Sequence, residues 1–275
     1  MIPHEEITSV ANPRVRQAAR LRDADARRTT GLTLVDGRRE LARAAKSGIE
    51  ILEVFLDGDA PPDAERDALL ESLTAKGTRL VALARKPFEK IAFGSRNEST
   101  VGVVRFSGHT LDRFHVASDR PVLVVEGVEK PGNLGAILRT ADAAGIAGVI
   151  ACDPRTDPAN PATIRASIGT VFAVPLAVTE SRDAIAWCGG QRRRVIAATP
   201  EGAVLWHEAR LAGAVAILLG SEAHGLSTAW QEAAAAGSIG FETIRLPMLG
   251  LADSLNVSAT AAVLAYEALR QTSKK

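Results

Sequence analysis

Five residues of the C-terminal half carry groups suited to holding and polarising a small reactive centre: Asn133, Arg139, Glu222, Ser254 and Asn256. They fall in three segments, each tied to an apolar, strand-like run. VEKPGNLGAILRTADAAG (128–145) follows VLVV from Val122, ILLGSEAHGLS (217–227) completes AVAILL from Ala214, and IRLPMLGLADSLNVS (244–258) opens as a short strand that stops at Pro247. A buried helix starts with one polar cap, but the Ala-rich helix after residue 254 starts with Ser254, Asn256 and Ser258 crowded together. Polar groups gathered at a strand's carboxyl end mark a ligand site; the plain alternative is a capped core helix. Arg139 sits among Ala136, Ile137, Leu138 and Ala141. A charge there needs a partner: Asp142, Glu222 or a bound substrate. Glu222 follows Gly-Ser at a strand end, where a carboxylate can order Asn133 or Arg139, or stand as an exposed loop acid. Asn133 reads as the cap of its helix.

Other chemistries lack their residues. No His-Asp-Ser set, metal cluster or Walker loop occurs, and His4, His109, His115, His207 and His224 are scattered without ligand spacing. The run GNLGAIL after VLVVEG, with Asp153 ending the next strand, imitates a dinucleotide fold. It reads G-x-x-G rather than G-x-G-x-x-G, however, and Lys130-Pro131 interrupts the turn. An NAD-dependent oxidoreductase is therefore kept only as a competing class.

The three segments, in this order, resemble the signature motifs of the SpoU/TrmH-type RNA ribose methyltransferases of the SPOUT superfamily, over roughly residues 121–271. Residues 5–105 more weakly resemble the substrate-binding domain common in that family. The resemblance implies S-adenosylmethionine as cofactor, a homodimer, and a C-terminal trefoil knot that holds the cofactor in a bent form. It implies a cofactor pocket lined by Leu219, Gly220, Ile244, Leu246, Met248, Ser254 and Leu255. Without it, core packing is the better account of each apolar member taken singly. Gly permits close backbone approach to adenine, and Pro247 fixes its local φ. The reaction implied is methyl transfer to a ribose 2′-hydroxyl, in which orientation supplies much of the acceleration. Asn133, Arg139, Glu222, Ser254 and Asn256 are the implied catalytic set. The family often gives the matching Arg the part of general base; a guanidinium is effectively always protonated, so fixing the phosphodiester and stabilising the developing alkoxide is an equal account. The segment NPATIRASIG (160–169) also resembles the family, with Arg165 and Ser167 facing substrate or a second subunit.

These motifs need elements to carry them. Residues 121–275 read as strands at 121–126, 147–152, 171–175, 194–198, 214–219 and 242–246, with helices at 133–144, 160–168, 181–187, 204–210, 227–236 and 255–271. Near-continuous apolar strands separated by helices imply an α/β domain with a parallel sheet covered on both faces. Residues 1–106 read as a small N-terminal α/β RNA-binding domain. Its helices are expected at 12–26, 38–46, 64–76 and 86–93, and its strands at 32–35, 51–56, 80–83 and 101–105. The polar stretch 107–120 is the linker.

The chain has 275 residues, 46% of them hydrophobic, a formal charge of +1 and only two cysteines, Cys152 and Cys188. These exclude a disulfide framework and a zinc pattern. The apolar runs are too short for a membrane span, and the start lacks a secretory layout, so the cytoplasm is expected. The near-neutral balance hides an asymmetry: residues 11–46 hold ten Arg or Lys against four acids, an excess of six positive charges. Clustered Arg suits phosphate, which makes Arg14, Arg16, Arg20 and Arg22 candidate RNA contacts beside Arg165. A solvated helix face is the alternative. The loop 93–99 reads as a surface loop that could reach RNA. The substrate expected is ribosomal RNA; transfer RNA, or a catalytically silent RNA-binding homologue, is the alternative.

Overall fold

Runs of valine, isoleucine and leucine build two separate sheets, each with its own core. The computed structural model describes residues 5–93 and 98–273; His4 and residues 94–97 of the loop 93–99 lie outside the described residues. The chain forms two compact units.

The first unit comprises the residues up to Ser107 together with Asp157–Ala173. Its strands are β1 (Glu5–Ile7), β2 (Leu32–Asp36), β3 (Ile51–Asp57), β4 (Arg79–Leu83) and β5 (Thr100–Arg105), in the order β1-β4-β3-β5-β2. β1, β4 and β3 run parallel, while β5 lies antiparallel to both β3 and β2. Its helices are α1 (Pro13–Arg20), α2 (Ala24–Thr30), α3 (Arg38–Lys46), α4 (Ala64–Thr74) and α5 (Arg85–Ile91). The single helix expected over 12–26 is two. Leu21 caps α1 and Asp23, extended at φ −84° and ψ 134°, starts α2. The break lets Arg27 turn into the unit, where it donates to the Leu21 carbonyl at 3.0 Å and to Asp157 Oδ2 at 2.6 Å.

Residues 157–173 join this unit although the sequence around them builds the other one. They hold α7 (Pro161–Ala166) and a 3-10 turn, Thr170–Phe172. Thr33 Oγ1 donates to the Ala159 carbonyl at 2.5 Å, Arg43 to the Ile168 carbonyl at 2.5 Å, and the Phe106 and Phe172 rings meet edge-on at 4.8 Å. A strand was expected over 171–175. It begins instead at Leu176, after Pro175, which has no N–H to give a ladder.

The second unit is Gly108–Thr156 with Val174–Lys275. Its seven strands are β6 (Val122–Glu126), β7 (Val149–Cys152), β8 (Leu176–Thr179), β9 (Arg194–Ala198), β10 (Val204–Leu205), β11 (Val215–Leu219) and β12 (Phe241–Arg245). Their order is β10-β12-β9-β11-β6-β7-β8, and every pairing is parallel. β6, β7 and β11 are buried at every position, as a sheet covered on both faces requires. The helices are α6 (Pro131–Ala143), α8 (Ser181–Gly190), α9 (Ala229–Ala235) and α10 (Val257–Thr272). The helix expected over 204–210 is absent: Val204 and Leu205 pair with Ile244 and Arg245, and Trp206 N–H donates to the Arg245 carbonyl at 3.1 Å. The free edge of β12 offers those groups partners that an isolated turn of helix would not. Among the described residues, no helix is long and apolar enough to cross a membrane.

Candidate functional site

Three turns leave the carboxyl ends of β6, β11 and β12 and meet. The turn after β6 passes through Gly127 at φ +65° to α6. Lys130, not Asn133, is the N-cap of α6; Pro131 follows at the first helical position, which suits its fixed φ. Asn133 therefore lies inside the first turn.

The turn after β11 closes on itself. Ser221 and Gly225 exchange backbone hydrogen bonds at 3.0 and 3.1 Å, and His224 N–H donates to Ser221 Oγ at 3.0 Å. Gly220 is required by this closure, because a Cβ there would stand 2.4 Å from the Gly225 carbonyl carbon. Glu126, buried at the end of β6, anchors the far end: it accepts from Ser227 N–H at 2.9 Å and Ser227 Oγ at 2.7 Å. The closed turn presents Glu222. The third turn runs from Leu246 to Asn256, the N-cap of α10, whose Oδ1 accepts from Ser258 N–H at 3.0 Å.

Glu222 gathers the three turns. Its Oε1 accepts from Asn133 Nδ2 at 3.0 Å and from Asn256 Nδ2 at 2.5 Å, and Asn256 Nδ2 also reaches Asn133 Oδ1 at 3.2 Å. Its Oε2 lies 3.1 Å from Lys130 Nζ. The Lys130 hydrogen bond and then that of Asn133 hold the Glu222 carboxyl below the usual carboxylate range.

A cavity of about 570 Å³ lies beside this cluster, within the range of small-molecule sites. Of the expected pocket residues, Leu219, Gly220, Leu246, Met248, Ser254 and Leu255 line it, as does Glu222. Ile244 does not: it is fully buried in β12, where its carbonyl accepts from Thr199 N–H at 2.9 Å. Its neighbour Arg245 lines the cavity instead, with Ala198, Thr199, Pro200, Asp253 and Thr260. Thr199 and Pro200 follow β9, so the strand-end rule that found the other turns points to them as well. Behind them the chain is tight: a Cβ on Gly202 would stand 2.1 Å from the Ile244 carbonyl carbon.

Arg139 stands apart from the cluster. It is exposed on α6, outside the cavity wall, and pairs with neither Asp142 nor Glu222. Arg165 belongs to the first unit, where it donates to the Phe93 carbonyl and lies 3.8 Å from Asp36. Asp36 is buried and also accepts from Phe93 N–H at 2.5 Å; burial pushes its carboxyl up to about 6.

The four N-terminal arginines differ in the same way. Arg14 is tied to Glu5 and Glu53, and Arg22 donates to the Ala92 carbonyl with its guanidinium 5.9 Å above the Phe93 ring. Arg16 and Arg20, one turn apart on α1, are exposed and form no ion pair among the described residues. Cys152 and Cys188 are buried free thiols, both pushed up by burial.

Comparison with known proteins joins these observations. Residues 120–266 match the SpoU rRNA Methylase family, and residues 12–102 match the MRM3-like substrate binding domain. The 23S rRNA (uridine(2479)-2'-O)-methyltransferase of Streptomyces viridochromogenes is 29% identical over 262 residues, 92% of this chain and 88% of its own. A solved RNA 2'-O ribose methyltransferase is 35% identical, covers 97% of this chain and 99% of its own, and superposes with a TM-score of 0.84. The AdoMet-bound rRNA methyltransferase of Sinorhizobium meliloti is 28% identical over 96% of this chain and 97% of its own, also with a TM-score of 0.84.

Proposed function

This chain belongs to the SpoU rRNA methylase family, and from that premise we infer that it methylates a ribose 2′-hydroxyl of ribosomal RNA with S-adenosylmethionine. The carrying observation is the sharing of one Glu222 oxygen by Asn133 and Asn256 at the edge of the cavity. Bound there, the cofactor supplies an electrophilic methyl group. The cavity fits it. Its walls offer backbone groups around Gly220 and Leu246, apolar faces from Leu219, Met248 and Leu255, and, apart from Glu222, the Asp253 carboxylate and the Arg245 guanidinium for the zwitterionic tail.

The roles follow from the geometry. Glu222 already accepts from three side-chain donors and sits below the usual carboxylate range, so it is a weak base and a good anchor. It fixes both asparagines, and Ser254 on the cavity wall is left to hold the hydroxyl. Arg139, permanently charged and in no ion pair among the described residues, is left for the phosphodiester and the developing alkoxide. Arg16 and Arg20 are the preferred RNA contacts of α1. Arg14, Arg22 and Arg165 are engaged with protein groups and hold the fold of the first unit. A homodimer, a knotted chain path in the second unit and a cytoplasmic location complete the reading; the buried thiols are in keeping with a reducing compartment.

The test is methyl transfer from labelled cofactor to ribosomal RNA, followed by alkaline hydrolysis, which a 2′-O-methyl group blocks at its own linkage. One resistant linkage in rRNA is expected. Label on a base, or none on RNA, overturns the reading. Label on transfer RNA alone would favour the tRNA alternative.

A further inference from the structure

The contact between Lys130 and Glu222 carries a consequence that rests on the methyl-transfer reading. The three donors divide the carboxylate: one ammonium takes Oε2 at 3.1 Å, and two amides take Oε1 at 3.0 and 2.5 Å. The terminal torsion of a glutamate is broad and two-fold, so nothing in the side chain itself chooses this division. We propose that Lys130 is a positioning residue of the transfer site, holding the Glu222 carboxylate turned so that one oxygen faces both asparagine amides.

The amides make that orientation matter. An asparagine presents a donor or an acceptor according to its flip. An ionised carboxylate accepts only, so both NH2 groups must turn to Glu222. Asn133 Oδ1 is then left to face Asn256, and Asn256 Oδ1 to cap α10. A protonated Glu222 would offer one donor, toward which Asn133 could turn its oxygen, while Asn256 Oδ1 stays with Ser258. The direction of the Asn133 amide is thus set by one carboxylate's charge. The groups facing Glu222 are Lys130 and Asn133 at the start of α6, and Asn256 and the Val257 N–H at the start of α10; Arg245 and Asp253 share the cavity. Lys130 is the cation paired with it among the described residues.

Lys130 is 70% exposed, and such a pair adds little to folding stability, so its removal tests the site rather than the fold. Single-turnover transfer to rRNA is measured against pH for wild type, Lys130→Ala and Lys130→Arg, and the Glu222 carboxyl is titrated by 13C NMR in wild type and Lys130→Ala. In the alanine variant the acid limb of the rate should move to higher pH, each unit of movement lowering the rate on that limb about tenfold. Arginine should restore much of it, and the carboxyl titration should move in the same direction. Superimposable rate profiles, or an unmoved titration, overturn the proposal. If the wild type transfers no methyl to RNA, the function is misread, and the titration still decides whether Lys130 governs Glu222.

Discussion

The two units treat their polar side chains in opposite ways. In the second unit Lys130, Asn133 and Asn256, from the starts of two helices, converge on one glutamate. In the first unit the arginines of residues 11–46 disperse: Arg14 to two acids, Arg22 to a carbonyl and a ring, Arg27 to Asp157, Arg38 to Asp63 and Glu65, and Arg43 to a carbonyl. An excess of charge along a chain is not an excess on its surface. Much of this one is spent inside the unit that carries it. Convergence is the stronger sign of a site, because several elements must agree on the same partner.

The contrast can be broken most forcibly at the turn after β11. Gly220→Val places side-chain carbon on the Gly225 backbone, an overlap that should cost about 3 kcal/mol or more. Calorimetry should find no cofactor binding, and the turn's amides should exchange faster. Retained affinity would mean that the closed turn does not build the pocket. Arg139→Ala comes next. It should lower single-turnover transfer by about 10²–10³-fold, the usual loss for one oxyanion donor, while cofactor affinity stays put. A near wild-type rate would remove Arg139 from the chemistry.

A smaller effect is expected inside the first unit. Asp36 holds its proton up to about 6 when folded, against 3.8 for the free group. Between those values the folded state binds the proton that the unfolded chain has released. Stability should therefore fall as pH rises through that window, by up to about 3 kcal/mol. Asp36→Asn should flatten this dependence, read as hydrogen exchange of the β2 and β5 amides at several pH values. An unchanged slope would show that Asp36 titrates normally. The mildest change is Arg16→Ala with Arg20→Ala. RNA affinity should lose salt dependence by roughly one unit of slope per lost phosphate contact. Arg14→Ala with Arg22→Ala should instead loosen the first unit and leave the slope alone. Equal slopes in wild type and the Arg16/Arg20 variant would make α1 a solvated face.

What could be read in advance follows the same division. Five strands of the second unit, all but β8 and β10, were legible because buried parallel strands are continuous apolar runs. β6 and β11 begin one residue after their expected starts, and the turns behind them carry Gly, Pro, Asn and Ser as strand-end sites do. Lys130 was not legible as a partner of Glu222, since 92 positions separate them and only the sheet order brings them together. The strand Val204–Leu205 looked helical because its local pattern is ambiguous and its partner lies 40 residues on. Ile244 was placed on the pocket wall by the resemblance alone; in β12 it is buried, which is the core-packing alternative for an apolar residue. The contacts of Arg165 with Asp36 and Phe93 were not legible, since both partners are far away in the chain.

The membership of residues 157–173 in the first unit also sets a clock. During synthesis the ribosome must add 66 residues beyond Ser107 before Ala173 exists. At roughly 5–20 residues per second that takes about 3–13 s. Through that interval Arg27, Thr33, Arg43 and Phe106 wait without Asp157, Ala159, Ile168 and Phe172. The first sheet can form early, but it is finished only after β6, α6 and β7 of the other unit have been made. A gene fragment cut at the end of β5 would therefore encode a unit that never receives its last pieces.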